Sequence, residues 1–391
     1  MMNHADRNHA ILSASGSHKW LNCPPSALLE AKIPDKSTEY SKEGTAAHEL
    51  AEIYLQYHVG NISKTTRTRR INKFKKENGY YSKEMDDYVN QYVDIVLEKI
   101  NEAKSDSVND PIVMIEQKLD FSEWVPDGFG TGDVVIVADN YIEIIDLKYG
   151  KGVPVSAENN PQARLYALGA VSQFGILYDF EEVRSTIVQP RLDNISTEVL
   201  SIKELKSWAD EIVRPKAELA AKGEGEFVTG EHCQFCKIKA TCRARAEMNL
   251  ELAKYEFAEP EQLDTNEIGE ILHKLTELEK WAKDIKDYAQ EQALKHGVKI
   301  PGWKVVEGRS NRKYTDEAKI IEVLKSDYEL DDVAPRKLLT ITKLEKLIGK
   351  KAFTEKVAQY VIKPPGKPTL VPESDKRPEL NSVESAKEDF K

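Results

Sequence analysis

The hydrophobic pattern changes period several times along the chain, and each change marks a new element. In "GTAAHELAEIYLQYHV" apolar side chains return at 47, 50, 51, 54 and 55, a helical period, and residues 11–105 are predicted to be mainly helical. From 111 to 149 the pattern becomes that of strands. "PIVMIEQKLDF", "GDVVIVAD" and "YIEIIDLKYG" are β-branched or aromatic runs divided by Asp, Asn and Gly turn signals. "NNPQARLYALGAVSQF" then predicts a helix capped by Asn160 with Pro161 in its first turn, and "VRSTIVQPRL" a further strand. Helices are expected from about 201 to 250. Beyond 259 a long amphipathic helix carries Ile268, Leu272, Leu275, Leu278, Trp281, Ile285 and Tyr288 as its stripe. The stretch from 363 onward is rich in Pro, Ser and charge, and is expected to be disordered. The order of elements implies an α/β (α+β) fold class. The expected divisions are a main domain over 1–250, a smaller helical C-terminal module over 251–362 and a tail over 363–391.

Composition narrows the setting. The 391 residues are 40% hydrophobic and 31% charged, which suits a globular protein of two domains. No apolar run approaches the roughly 18 residues of a membrane span, and "MMNHADRNHA" has no signal-peptide stretch, so a cytoplasmic location without membrane contact is expected. The net charge of −10 argues against a uniformly basic nucleic-acid binder but permits a local basic groove. Such a groove has one candidate: "KTTRTRRINKFKK", residues 64–76, holds seven basic residues and no acidic one. Arg67, Arg69, Arg70 and Lys73 within it are candidate phosphate contacts, against the plain alternative of a solvated face.

The four cysteines are unevenly spread. Cys23 stands alone, while Cys233, Cys236 and Cys242 lie together about 210 residues later. In a reducing compartment that distribution favours a metal centre over disulfides.

The strand region carries the candidate chemistry. With an antiparallel pair joined at "ADNY", Asp133 near the start of one strand comes beside Asp146 near the end of the next. Asp146 and Lys148 are two residues apart and share a face. Two adjacent carboxylates suit Mg²⁺ or Mn²⁺, and a lysine within reach can orient a water on that cation or stabilise charge on a phosphate. His48 lies on a helix four residues after Gly44 and offers a nitrogen ligand, with Glu52 one turn further on. Gln162 and Tyr166 are i and i+4 on the helix that follows. Gly130 and Gly132 precede Asp133 and are expected to admit the close approach of a ligand. Glu116, inside the first strand, is a further candidate.

This set resembles the RecB-like branch of the PD-(D/E)XK nucleases. That branch is marked by a helical G-x-x-x-H, here Gly44 to His48, and by a G-x-x-D, here Gly130 to Asp133. A D/E-x-K follows, here Asp146 to Lys148, and then a Q-x-x-x-Y, here Gln162 to Tyr166. The resemblance implies a restriction-endonuclease-like core, a mixed central sheet flanked by helices. It implies that His48, Asp133, Asp146 and the Leu147 carbonyl bind the metal, that Lys148 is the catalytic base or charge stabiliser, and that Gln162 and Tyr166 place the DNA strand. The cysteine arrangement is similar to that of iron–sulfur members of the branch, the AddB-type and CRISPR-associated RecB-like exonucleases. It implies a [4Fe–4S] cluster on Cys23, Cys233, Cys236 and Cys242, with structural Zn²⁺ as the alternative. The whole chain resembles phage- and prophage-encoded RecB-like proteins of uncharacterised function. The function so implied is a Mg/Mn-dependent DNA exonuclease that resects ends in phage recombination or replication, in the cytoplasm of a bacterial host. Its partners would be DNA and a phage single-strand annealing or single-strand-binding protein. The alternative is a catalytically idle nuclease-fold module that binds DNA or a partner.

Overall fold

A computed structural model describes residues 10–34, 38–250, 265–306, 319, 322–323, 340–357 and 360–361. The expected tail at 363–391 lies outside them. The chain forms two compact units, divided after Tyr288.

The first unit begins with two short helices, α1 (Ser17–Asn22) and α2 (Ser26–Glu30). Three longer ones follow, α3 (Glu39–His58), α4 (Lys64–Glu77) and α5 (Lys83–Asp106). Each of these three starts at a hydroxyl residue, Thr38, Ser63 or Ser82, whose side chain accepts a first-turn backbone N–H. Those N–H groups have no partner within the helix, so the cap satisfies them. Next come β1 (Ile112–Asp120), β2 (Phe129–Val137) and β3 (Tyr141–Leu147). Helix α6 (Pro161–Phe174) is capped by Asn160, as expected, and leads to β4 (Glu182–Gln189).

A fifth strand, β5 (Asn194–Ser201), follows, where the expected strands end with β4. Its run "NISTEVLS" mixes polar residues with Ile195, Val199 and Leu200, and as the edge of the sheet only Glu198 in it is buried. Helices α7 (Ile202–Trp208) and α8 (Arg214–Lys222) are joined by a π-helical turn, and α9 (Arg243–Leu250) follows the cysteine segment. Helix α10 (Thr265–His296) is the expected long one, though Ile268, Leu272, Leu275 and Tyr288 of its stripe remain exposed. The second unit contains α11 (Ile341–Ile348) and α12 (Lys350–Lys356), where Phe353 is buried.

The sheet runs β1-β2-β3-β4-β5 and is mixed: β3 and β4 are parallel, the other pairs antiparallel. A parallel pair needs a crossover, which α6 supplies. Helices cover both faces. On one, Leu119, Val135, Val137, Ile142 and Ile144 pack with Leu165 and Leu168 of α6 and with Trp20 of α1. On the other, Ile115, Val134, Ile136, Ile145 and Leu147 pack with Leu50 of α3 and with Val89 and Val96 of α5.

One break in this alternation shapes the site. Side chains four apart on a regular strand share a face, yet Ile115 faces α3 and α5 while Leu119 faces α6. The phase shift falls at Glu116, whose φ of 53° lies in the left-handed region, unusual for a non-glycine residue. The partner strand shifts too. A side chain on Gly132 would meet Leu119, on the α6 side, while Val134 faces α3 and α5. Cα pairing resumes on either side, as Ile115↔Val134 and Gln117↔Gly132. Glu116 and Asp133 occupy the irregular step between.

Candidate active site

Asp133 is held from two directions. Its Oδ1 lies 3.0 Å from Nδ1 of His48 on α3, and its Oδ2 accepts the backbone N–H of Leu147 at 2.7 Å. It stands mid-strand rather than near the start of β2, because Phe129–Gly132 extend the strand to pair with β1. Burial alone would lower the pKa of the His48 imidazole. The Asp133 carboxylate outweighs that and raises it to about 9. At neutral pH the site thus pairs an imidazolium with a carboxylate, and a cation bound through this nitrogen would have to displace the proton.

Asp146 is nearly fully buried, and burial pushes its carboxyl pKa up against the pull of Lys148. Its Oδ2 lies 2.7 Å from the Lys148 ammonium, an ion pair by distance, although that oxygen makes no hydrogen bond of good geometry. Lys148 also donates to Oε1 of Gln162 at 2.9 Å. Nε2 of Gln162 in turn reaches Oδ1 of Asp146 and the hydroxyl of Tyr166, each at 3.3 Å. The i, i+2 and i, i+4 relations expected from sequence therefore converge in one chain of contacts. Gly130 serves this chain rather than a ligand: a Cβ there would sit 2.6 Å from Cε1 of the Tyr166 ring. Gly44 has open space where its Cβ would be, with nothing within 4 Å, one turn before His48.

Two side chains join the site that the motifs do not assign. The Glu116 carboxylate, a His48 nitrogen and an Asp133 oxygen all lie within 4.8 Å of one another. Glu116 is exposed as a residue, yet its carboxyl is withdrawn enough that burial first, and the Asp133 charge second, push its pKa up to about 7. Tyr92 of α5 lines the same pocket as His48, Glu52, Glu116, Asp133 and Leu147. It is wholly buried, and its hydroxyl has no hydrogen-bond partner. Tyr92 has no motif signature, because its place on the apolar face of α5 reads as ordinary core.

The four cysteines line one cavity, together with Lys19, Lys239 and Arg245. Burial pushes the thiols of Cys23 and Cys233 up, and that of Cys236 to about 12. Among the described residues the cysteines do not form a grouping as tight as the 4.8 Å of the histidine–carboxylate site. Arg245, 1% exposed, reaches Glu277 at 2.5 Å and Asp284 at 2.6 Å, so it ties α9 to α10 beside this cavity.

The basic run forms α4, and its residues divide. Arg69, Arg70 and Lys73 are exposed. Arg67 does not share their freedom. Its guanidinium stacks 4.5 Å from the Tyr57 ring centroid and 5.8 Å from that of Tyr54, so the tyrosines of α3 hold it against that helix. Arg70 and Lys73 line a cleft with Glu49, Glu52 and Glu77, so its charge is mixed. Glu52 lines both this cleft and the His48 pocket.

Together these features define a mixed α/β protein whose five-stranded sheet, flanked by helices, carries a histidine–carboxylate–lysine site. The chain belongs to the family described as "Protein of unknown function (DUF2800)", whose profile matches residues 9–378. Among solved structures it is similar to the crystal structure of SSO0001 at 14% identity, over 58% of this chain and 96% of that chain, with a TM-score of 0.24. A likeness that weak carries no argument. No helix among the described residues is long and apolar enough to cross a membrane.

Proposed function

We propose that this protein is a metal-dependent DNA exonuclease with a PD-(D/E)XK core, hydrolysing phosphodiester bonds at DNA ends. The observation that carries the reading is the convergence of His48, Asp133, Asp146, Lys148, Gln162 and Tyr166 from α3, β2, β3 and α6. The donor types suit a hard divalent cation, one imidazole and two carboxylates, and the Leu147 N–H holds one of those carboxylates, Asp133, in place. A bound Mg²⁺ or Mn²⁺ supplies charge neutralisation at the phosphate and activation of the attacking water. His48, Asp133 and Asp146 would hold it. Lys148, fixed between Asp146 and Gln162, presents its charge where a phosphate oxygen would gain negative charge. Gln162 and Tyr166 position the strand, and the open space beside Gly44 leaves room on the α3 side.

The cysteine cavity holds a [4Fe–4S] cluster in this reading, clipping α1 and α2 to the segment before α9. Lys19, Lys239 and Arg245 line the cavity, each already paired with a carboxylate: Lys19 with Glu30, Lys239 with Asp284, and Arg245 with Glu277 and Asp284. Tetrahedral zinc, with Zn–S bonds of about 2.3 Å, needs sulfurs about 3.8 Å apart. A cubane spreads them further because each thiolate binds a different iron, so the metal content distinguishes the two.

End-labelled linear DNA incubated with Mg²⁺, Mn²⁺ or EDTA tests the activity. Cleavage is expected with either metal and not with EDTA. Asp146→Ala and Lys148→Ala are each expected to lose at least about 100-fold in rate while keeping wild-type circular dichroism. Full activity in either variant overturns the proposed active site.

A further inference from the structure

We infer that Glu116 is a ligand of the divalent cation and that Tyr92 hydrogen-bonds into its hydration shell. The pocket is then built by β1 and α5 as well as by α3, β2 and β3. The inference rests on the metal-dependent reading of the site and extends it to two residues outside the motifs.

Three observations support it. The first is distance. The ligand atoms of His48, Glu116 and Asp133 lie within 4.8 Å of one another. Octahedral Mg²⁺, with ligands at about 2.1 Å, spans oxygens about 3 to 4.2 Å apart, so a small contraction closes the set. The second is Tyr92. A buried hydroxyl without a partner is costly, and this one lies in the wall of the same pocket, on a side chain 0% exposed. A hydrated cation supplies the missing partner, since a phenol both donates and accepts. The third is the backbone of Glu116. A left-handed conformation is disfavoured for a residue with a Cβ, and glycine would adopt it with less strain. The residue there is instead a carboxylate, opposite Asp133, at the step where both strands shift phase. Ala51, Leu55, Ile115 and Leu147 line the rest of the pocket and limit competing water.

The test titrates full-length protein, stripped of divalent cations by EDTA but with its cysteine site left loaded, with Mn²⁺ alone, reading free Mn²⁺ by electron paramagnetic resonance, alongside thermal unfolding without Mn²⁺. Glu116→Gln and Glu116→Gly are expected to weaken Mn²⁺ binding at least about tenfold, and Tyr92→Phe by about three- to tenfold. The midpoint without Mn²⁺ should not fall in Glu116→Gly, which relieves the left-handed strain, nor in Tyr92→Phe, which removes the unpartnered hydroxyl. Wild-type affinity in all three variants, with loss in Asp133→Asn, overturns the inference and leaves the metal-dependent reading standing. Absence of Mn²⁺ binding by the wild-type protein overturns both.

Discussion

Replacing Gly130 by alanine places a methyl group where the structure has none to spare. The added Cβ would lie 2.6 Å from Cε1 of Tyr166, well inside van der Waals contact, and 3.5 Å from its hydroxyl oxygen. Gly130 does not have positive φ, so the backbone itself accepts alanine, and on propensity alone the change would be neutral or mildly stabilising. The clash decides the sign. Tyr166 is buried on α6, so its ring has little room to retreat. Over-packing of this kind costs about 1–3 kcal/mol, which for a unit of this size lowers the melting midpoint by about 2–5 °C. The displaced ring also draws its hydroxyl from Gln162, which contacts both Asp146 and Lys148. DNA cleavage is therefore expected to fall in step. Differential scanning calorimetry on Gly130→Ala, Tyr166→Leu and the double variant isolates the contact. In the Tyr166→Leu background the alanine is expected to cost less by about 1–2 kcal/mol. An unchanged midpoint in Gly130→Ala, or strict additivity in the cycle, refutes the reasoning.

The other predictions concern the basic helix, the cysteines and the sheet edge. Arg69→Ala, Arg70→Ala and Lys73→Ala combined should flatten the salt dependence of DNA binding, each lost phosphate contact removing about 0.9 from the log–log slope. Arg67→Ala should leave that slope alone and cost about 0.5–2 kcal/mol of stability through its tyrosine contacts; an equal flattening by Arg67→Ala would contradict the division. Anaerobically purified protein should be brown with about four irons per chain, and Cys23→Ser should lose the iron and melt earlier. A colourless protein with one zinc would substitute a Cys₄ zinc site, and full metal content in Cys23→Ser would break the link across the chain. At Glu198 burial alone would raise the carboxyl pKa, but the Arg164 guanidinium at 2.8 Å and the Asn159 N–H outweigh it and lower the pKa. Its contribution is therefore present above the unfolded carboxyl pKa of about 4.3 and lost as pH falls through the lower folded value. Glu198→Ala should cost about 3 kcal/mol at pH 7, and the gap to wild type should narrow below about pH 4 in acid-unfolding curves; a gap independent of pH would exclude this linkage.

Local order was legible because it depends on a few neighbouring residues. The 3.6-residue period of α3, the β-branched runs of β1 to β3, and Asn160 with Pro161 at the start of α6 each follow from backbone geometry over one or two turns. So do the shared face of Asp146 and Lys148 and that of Gln162 and Tyr166. What the sequence could not give was decided by contacts between distant segments. Strict alternation predicts a simple antiparallel pair at Asp133, and only the assembled sheet has the phase shift at Glu116 that breaks it. Tyr92 looks like core until α5 packs beside α3 and its hydroxyl is left at the pocket wall. Arg67 looks like its neighbours on α4 until Tyr54 and Tyr57 of α3 claim it. β5 carries alternating β-branched residues at Ile195, Thr197 and Val199, but Ile195 and Val199 stay exposed, and it is the hydrogen-bonding edge offered by β4 that places it in the sheet. Periodicity records which face a side chain takes; register and packing, set across the whole chain, determine what meets it there.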